Sequence, residues 1–387
     1  MEETWWADIE KLDDNQKEVI SLDMNGNFLV LGPPGSGKTN LLVMRAKYLH
    51  ANSLKNFSVL TIGRVLREFL VMGADQYTFP PERIQTYVSW ARGLLESNGI
   101  EVDSEGDFDD VRDAILQGLK SLSMRGNLED RFDCILLDEA QDYSADEIEV
   151  ISSFADRIFA VGDERQRIYS QNGGLDALKA FCDDVKSLPH HYRNGLEICK
   201  VADGIRNHNG TDLSLEINCN YVESDNPSTV EDFSGLSLEQ QIAKCIDSVR
   251  DQLRAYPLGL IGVLCPKNAD VTEVARVFGL SDINGDTQVQ NSTLGYHSFE
   301  PEKRIVITTI HGAKGLEFRA LHLLAMDKVT RFKAQKNMSF TAVSRAKTSL
   351  AIYSERALPG YIQKGIALLT VNSQHPVSAA ELFKARG

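Results

Sequence analysis

Eight residues constrain this chain more than any others: Gly32-Pro33-Pro34-Gly35-Ser36-Gly37-Lys38-Thr39. They follow the apolar run Phe28-Leu29-Val30-Leu31 and lead into Asn40-Leu41-Leu42-Val43-Met44-Arg45-Ala46. A buried strand, a glycine-rich turn and an amphipathic helix in that order are the setting that the G-x-x-x-x-G-K-[ST] pattern requires. Glycines let such a loop close around a polyphosphate, with successive backbone N–H groups pointing inward at the anion. A helix starting at Gly37-Lys38 adds the positive end of its dipole. The spacing therefore predicts a phosphate cradle from Gly32 to Gly37. Lys38 would neutralise the β- and γ-phosphates, and the Thr39 hydroxyl would ligate Mg²⁺. A nucleotide site follows from this stretch, but what the nucleotide drives does not.

The remaining composition narrows the classes. A chain of 387 residues with 42% hydrophobic content has room for two or three cored domains. A net charge of −14 argues against a wholly basic polyanion binder, though it leaves room for one local basic groove. Six cysteines stand far apart in sequence with no C-x-x-C pair, so neither a disulfide framework nor a zinc ribbon is expected. The start, Met1-Glu2-Glu3-Thr4-Trp5-Trp6, is unlike a signal or transit peptide, and no apolar run approaches the ~20 residues of a membrane span. A soluble, cytoplasmic protein is the expectation.

Carboxylates and amides recur at the ends of later strands. Residues 9–20 read as an amphipathic helix carrying Gln16, whose amide offers both a donor and an acceptor to an adenine edge. Phe132-Asp133-Cys134-Ile135-Leu136-Leu137 runs into Asp138-Glu139-Ala140-Gln141-Asp142. After a phosphate loop, Asp138 would hold Mg²⁺ and Glu139 would orient and deprotonate an attacking water. The strand Ile158-Phe159-Ala160-Val161 ends in Gly162-Asp163-Glu164-Arg165-Gln166, placing Gln166 where an amide could sense a γ-phosphate. Strand and helix signals alternate to this point, which predicts a doubly wound parallel sheet with its chemistry at the carboxyl ends of the strands. Past Ser187-Leu188-Pro189 the alternation resumes without a second phosphate loop. Strands are expected at Val230–Phe233, Leu260–Leu264, Arg304–Ile310, Leu321–Leu324 and Ser349–Tyr353, the last closing the sheet. The polar segment 281–303 reads as a loop or hairpin. Residues 97–131, acidic and with one helix near Val111–Leu122, read as an insertion outside the core.

Seven stretches in order resemble the UvrD/Rep-like branch of superfamily-1 helicases. They are Leu12-x-x-x-Gln16, the phosphate loop, Asp138-Glu139-Ala140-Gln141-Asp142 and Gly162-Asp163-x-x-Gln166-x-Ile168-Tyr169. Tyr192-Arg193, His311-x-Ala313-Lys314-Gly315-Leu316-Glu317-Phe318 and Thr341-Ala342-Val343-Ser344-Arg345-Ala346 complete the series. The resemblance implies two RecA-like lobes with ATP and Mg²⁺ between them, an α/β fold of two doubly wound parallel sheets with a small insertion in the first. The lobes would span 1–186, with the insertion near 91–131, and 187–387. Gln16 would contact adenine and Tyr192 would stack on it. Arg193 and Arg345 would reach the γ-phosphate from the second lobe, with Gly315 and Glu317 on the nucleotide side of their loop. His311 and Lys314 would lie at the seam between nucleotide and strand, as would Tyr169.

Three departures from that pattern bear on the strand. The aromatic that stacks on a base in the family is replaced by Ser170-Gln171-Asn172-Gly173. Thr61-Ile62-Gly63-Arg64 stands where Thr-x-Asn-Lys is usual, leaving Thr61, Arg64 and Thr86 as strand contacts, while Tyr87 and Trp90 are candidates to supply the missing stacking. The chain also leaves little room for accessory domains. The expected function is an ATP-dependent translocase or helicase on single-stranded nucleic acid, DNA more than RNA. The alternative is an ATP-gated switch controlling a protein partner such as a nuclease, for example in antiviral defence.

Overall fold

The alternating pattern resolves into two separate six-stranded sheets, every pairing parallel. The computed structural model describes Glu10 and residues 12–73, 78–102, 108–125, 131–166, 173–291, 294, 297–329 and 333–371. The first sheet has the order β3-β2-β4-β5-β1-β6, from β1 (Phe28–Leu31), β2 (Phe57–Thr61), β3 (Ile84–Thr86), β4 (Cys134–Leu137), β5 (Ile158–Gly162) and β6 (Asp184–Ser187). The second has the order β7-β12-β11-β8-β10-β9, from β7 (Thr229–Ser234), β8 (Ile261–Cys265), β9 (Thr287–Gln290), β10 (Ile305–Thr309), β11 (Phe318–Leu323) and β12 (Ala346–Ser354). Central strands such as Cys134-Ile135-Leu136-Leu137 and Ile261–Cys265 are buried throughout. Helices cover both of their faces, so they read as continuous apolar runs.

In the first half the helices are α1 (Asp14–Ile20), α2 (Lys38–Ala51), α3 (Arg64–Met72), α4 (Tyr87–Ser97), α5 (Phe108–Met124), α6 (Ala145–Ser153) and α7 (Gly174–Phe181). In the second they are α8 (Leu196–Arg206), α9 (Leu238–Ala255), α10 (Asn268–Gly279), α11 (Lys333–Val343) and α12 (Gly360–Val371). Several start where a side chain satisfies the free N–H groups of the first turn. Asp13 with Gln16, Ser144 with Glu147 and Ser237 with Gln240 form reciprocal capping boxes.

Three sequence expectations need correcting here. Helix α5 is no insertion lying outside the core: Ile115, Leu119 and Leu122 are buried in the same cluster as Trp90, Leu95 and Ile151. Its outer face is charged, which is why the segment reads as polar, and its inner stripe only becomes apolar when folded at helical period. Within 281–303 the residues Thr287–Gln290 form β9, an edge strand paired to β10. Its polar composition hid it. Strand β12 does not close the sheet but lies inside it, between β7 and β11. The segment after Pro359 forms α12, packed on α8 so closely that Gly365 stands against the Val201 backbone and Gly204 against Gly365.

Candidate nucleotide site

The carboxyl ends of the first sheet face residues delivered by the second. Strand β1 ends at Leu31, and the chain turns through Gly35 (φ +78°) and Gly37 (φ +82°) into α2. Left-handed backbone at both positions calls for glycine. Gly35 has a second reason: a Cβ there would stand 2.6 Å from Cβ of Arg193. The Tyr192 N–H donates to the Gly35 carbonyl at 3.1 Å, so the phosphate loop and the start of the second half are already bonded. The ammonium of Lys38 donates to the carbonyls of Gly32 and Pro33, each at 2.9 Å. Burial pulls its pKa down, while Asp163 and Glu139 act in the opposite sense.

Gln16 is buried, with both ends of its amide occupied. Nε2 donates to the Ser36 carbonyl at 3.0 Å and Oε1 accepts from the Asp13 N–H at 3.1 Å. The residue expected to read adenine thus holds the cradle and caps α1. Tyr192 closes the same corner by donating its hydroxyl to the Asp13 carboxylate. Burial first, and that bond second, push its pKa up to about 12.

The acidic turn after β4 carries an unusual backbone. Glu139 sits at φ +49°, ψ 47°, a left-handed conformation that a non-glycine residue rarely adopts and that costs ~1–3 kcal/mol. Three contacts hold its neighbourhood. The Asp138 carboxylate accepts the Glu139 N–H at 2.8 Å, the Gln141 amide donates to Glu139, and Gln141 Oε1 accepts the Asp163 N–H at 2.9 Å. Burial pushes the Asp138 carboxyl up to about 7, with the adjacent Glu139 charge adding to it. For Glu139 burial also works upward, but the charges of Lys314, Arg345 and Lys38 outweigh it and hold this carboxyl below its ordinary value. Neighbouring carboxyls with opposite shifts are suited to different roles.

Residues of the second half enter this pocket directly. Arg345, 3% exposed, donates from Nη2 to Gln166 Oε1 at 2.8 Å and lies 3.8 Å from Glu139 Oε1. Arg193 pairs with Glu317 and donates to the Ser344 carbonyl at 3.3 Å. Lys314 pairs with Asp142 across the same boundary. Gly315 (φ +85°) abuts Leu66 of α3, where any Cβ would collide with the leucine methyls. Phe69 of α3 meets Phe299 edge-on at 5.7 Å. The sites expected from sequence at Lys38, Asp138, Glu139, Gln166, Arg193, Glu317 and Arg345 are therefore brought to one place, whereas Gly315 meets Leu66.

A hard cation fits the pocket. Asp138 Oδ2 is buried without a hydrogen-bond partner, and the nearby Thr39 hydroxyl counters the rise in that carboxyl's pKa, giving an oxygen-only donor set. Asp163 Oδ2 is likewise buried and unpartnered.

The strand candidates fare differently. Tyr87 and Trp90 are 1% and 3% exposed, packed with Tyr143, Phe132 and Phe154 at centroid distances of 5.6–6.3 Å. Neither offers a face to a base. Both lie on the apolar stripe of α4, a position their spacing in sequence could not tell from an exposed one. Thr86 is buried and caps α4 by accepting the Ser89 N–H at 3.1 Å, and Thr61, fully buried, sits beside it in register. Arg64 and His311 are exposed. Tyr169 lies outside the described residues.

Sequence reasoning also missed Arg112. Its guanidinium reaches Glu147 at 2.5 Å and the Asp142 carbonyl at 2.9 Å, bracing the acidic turn from α5. No local motif marks it, because its partners lie 30 and 35 positions away. Asn194, fully buried, was equally silent: it donates to the carbonyls of Ser344 and Ala346 at 2.8 and 2.6 Å, fixing the Arg193 segment to the Arg345 segment.

Two family models match the chain: the UvrD/REP helicase N-terminal domain over residues 81–184, and the UvrD-like helicase C-terminal domain over 304–353. No curated protein matches it. Among solved structures, it is similar to the C-terminal domain of a possible DNA helicase from Lactobacillus plantarum WCFS1. That likeness has 14% identity and a TM-score of 0.34, and covers 46% of this chain and 96% of that one. It is also similar to the PRRSV helicase, at 14% identity and a TM-score of 0.42 over 88% of this chain, which spans 54% of that protein.

Proposed function

We propose that the chain, whose residues 81–184 and 304–353 match UvrD-type helicase domains, is an ATP-driven translocase on single-stranded nucleic acid, DNA in preference to RNA. The observation that carries this reading is the reach of Arg345 to Gln166 and Glu139. A guanidinium supplied by one sheet to the acids of another can act on a phosphoryl group only while the two are together. Hydrolysis and closure then become one event. We assign the two lobes to residues 1–186 and 187–387.

The roles follow from the contacts. Gly32 to Gly37 would line the phosphates with backbone N–H groups, and Lys38 would trade its two carbonyl partners for phosphate oxygens. Thr39 and Asp138 are the residues to hold Mg²⁺, which when bound offsets charge on the β- and γ-phosphates. Glu139, kept ionised by its cationic neighbours, would accept a proton from the attacking water. Gln166 would orient the γ-phosphate, and Arg345 and Arg193 would meet the negative charge that develops in transfer. Tyr192 would lie against adenine at the Asp13–Gln16 corner. Arg64, His311 and Lys314 remain the candidates for strand contact.

The burial of Tyr87 and Trp90 favours a second reading, in which weak grip makes the protein an ATP-gated switch acting on a partner rather than a processive motor. One set of measurements addresses both. ATP hydrolysis should rise severalfold or more with single-stranded DNA and lose that stimulation steeply with salt. Strand-end dissociation times that lengthen with oligomer length identify a motor, and length-independent gating identifies a switch. A strand-independent, salt-insensitive rate would remove both.

A further inference from the structure

Among the described residues one cluster gathers metal-ligating side chains of the soft kind, away from the acidic pocket: His191, Cys199 and Cys219. One ring nitrogen and the two sulfurs all lie within 4.8 Å of one another. Three pieces of chain converge to make it. His191 immediately precedes Tyr192-Arg193, Cys199 lies in the first turns of α8, and Cys219 sits in the loop before β7. His191 and Cys219 are bridged through the backbone, with His191 N–H on the Asn218 carbonyl at 3.2 Å and Asn220 N–H on the His191 carbonyl at 2.8 Å.

Ordinary core cysteines are small apolar fillers. Cys245 and Cys265 are of that kind, set among Ile242, Val263, Val271 and Phe278. The pair at 199 and 219 differs. Both sulfurs donate to one carbonyl oxygen, that of Asn194, at 3.4 and 3.3 Å, and Cys199 Sγ lies 3.8 Å from His191 Nε2. The imidazole is fully buried, with Nε2 2.8 Å from the Leu215 carbonyl and Nδ1 lacking any partner. Nε2 is the ring nitrogen beside Cys199 Sγ, so it is the one placed to ligate: it would exchange the Leu215 carbonyl for the cation while the neutral ring carries its proton on Nδ1, which no partner occupies.

We propose that His191, Cys199 and Cys219 form a binding site for one borderline-soft divalent cation of the zinc class. Two thiolates and a neutral imidazole cancel a charge of +2, which suits a buried place where an uncompensated ion would be costly. Binding releases the two thiol protons to solvent, and the Asn194 carbonyl or a water is available as a fourth donor. Burial keeps the imidazole neutral, its pKa pushed down to about 4, as a ligand must be. The H-x₇-C-x₁₉-C spacing matches no ribbon or finger, so sequence alone did not disclose it. Occupancy would tie the Arg193-bearing segment, α8 and the 215–221 loop into one unit.

Cobalt(II) and zinc(II) added to the full-length reduced protein test this. Cobalt(II) should give thiolate-to-metal charge-transfer absorption that saturates at about one equivalent. Zinc(II) should displace it and raise the melting temperature by roughly 3 °C at a hundredfold excess over its dissociation constant. Cys199→Ser with Cys219→Ser should abolish both effects, and Cys245→Ala with Cys265→Ala should keep them. Absence of the band in the unaltered protein overturns the proposal without recourse to any variant. So does a band that survives the 199/219 pair of substitutions.

Discussion

The pocket at the ends of β1, β4 and β5 and the neighbouring ends of β2 and β3 make an instructive pair. In the pocket, charged and amide side chains buried at the strand ends are matched by cations arriving from the second sheet, and nearly every expected residue is present. At β2 and β3 the expected strand contacts mostly turn inward: Thr61, Thr86, Tyr87 and Trp90 are all buried. The difference is chemical. A triphosphate would demand specific groups at fixed backbone positions, so a site proposed for one can be read in order along the chain. An aromatic ring serves equally well as core filler or stacking platform, and only its exposure decides which.

That contrast can be broken at either end. The largest expected effect lies in the pocket. Glu139→Gln should lower ATP turnover by ~10²–10⁴-fold while nucleotide affinity stays close to that of the parent. Parental turnover would transfer the role of base to another residue.

The next effect lies under α4. Trp90→Ala removes a ring packed against Tyr87, Phe132 and Phe154 and should destabilise the protein by ~3–5 kcal/mol, seen as a lowered melting temperature. An unchanged melting temperature with weakened strand affinity would instead return Trp90 to the nucleic-acid face.

The smallest, taken over one pH unit, is in the second sheet. Burial pushes the His322 pKa down to about 3, so the ring is neutral when folded, bonded to Gln252 at 2.8 Å and Tyr353 at 3.0 Å. The unfolded chain takes up that proton below pH ~6.5. Stability from this group is therefore complete above ~6.5 and declines as pH falls from there toward 3, by up to ~1.4 kcal/mol per pH unit. Melting temperature followed against pH should show a shallower acid limb in His322→Gln, and an identical limb would contradict the assignment.

Legibility followed the same division. Strands such as Phe28–Leu31 and Ile158–Gly162 could be read because both their faces are buried and their apolar runs are uninterrupted. The edges β6 and β9, with sequences Asp184-Val185-Lys186-Ser187 and Thr287-Gln288-Val289-Gln290, escaped because polar edge strands lack that signature. Arg345 and Arg193 were legible through the order of motifs. Arg112 and Asn194 were not, since what they do depends on partners brought near only by folding. Gln16 shows the middle case: its position near the cradle was foreseen, but not that a capping box and the Ser36 carbonyl would occupy its amide.

On the proposed reading, hydrolysis needs a guanidinium from the second sheet at the acids of the first. Single-turnover ATP hydrolysis by Arg345→Ala, measured beside its nucleotide affinity at saturating strand, tests it most directly. The rate should fall ~10³–10⁵-fold while affinity stays within about threefold of the parent. A rate within about tenfold of the parent, or a loss confined to affinity, would contradict it.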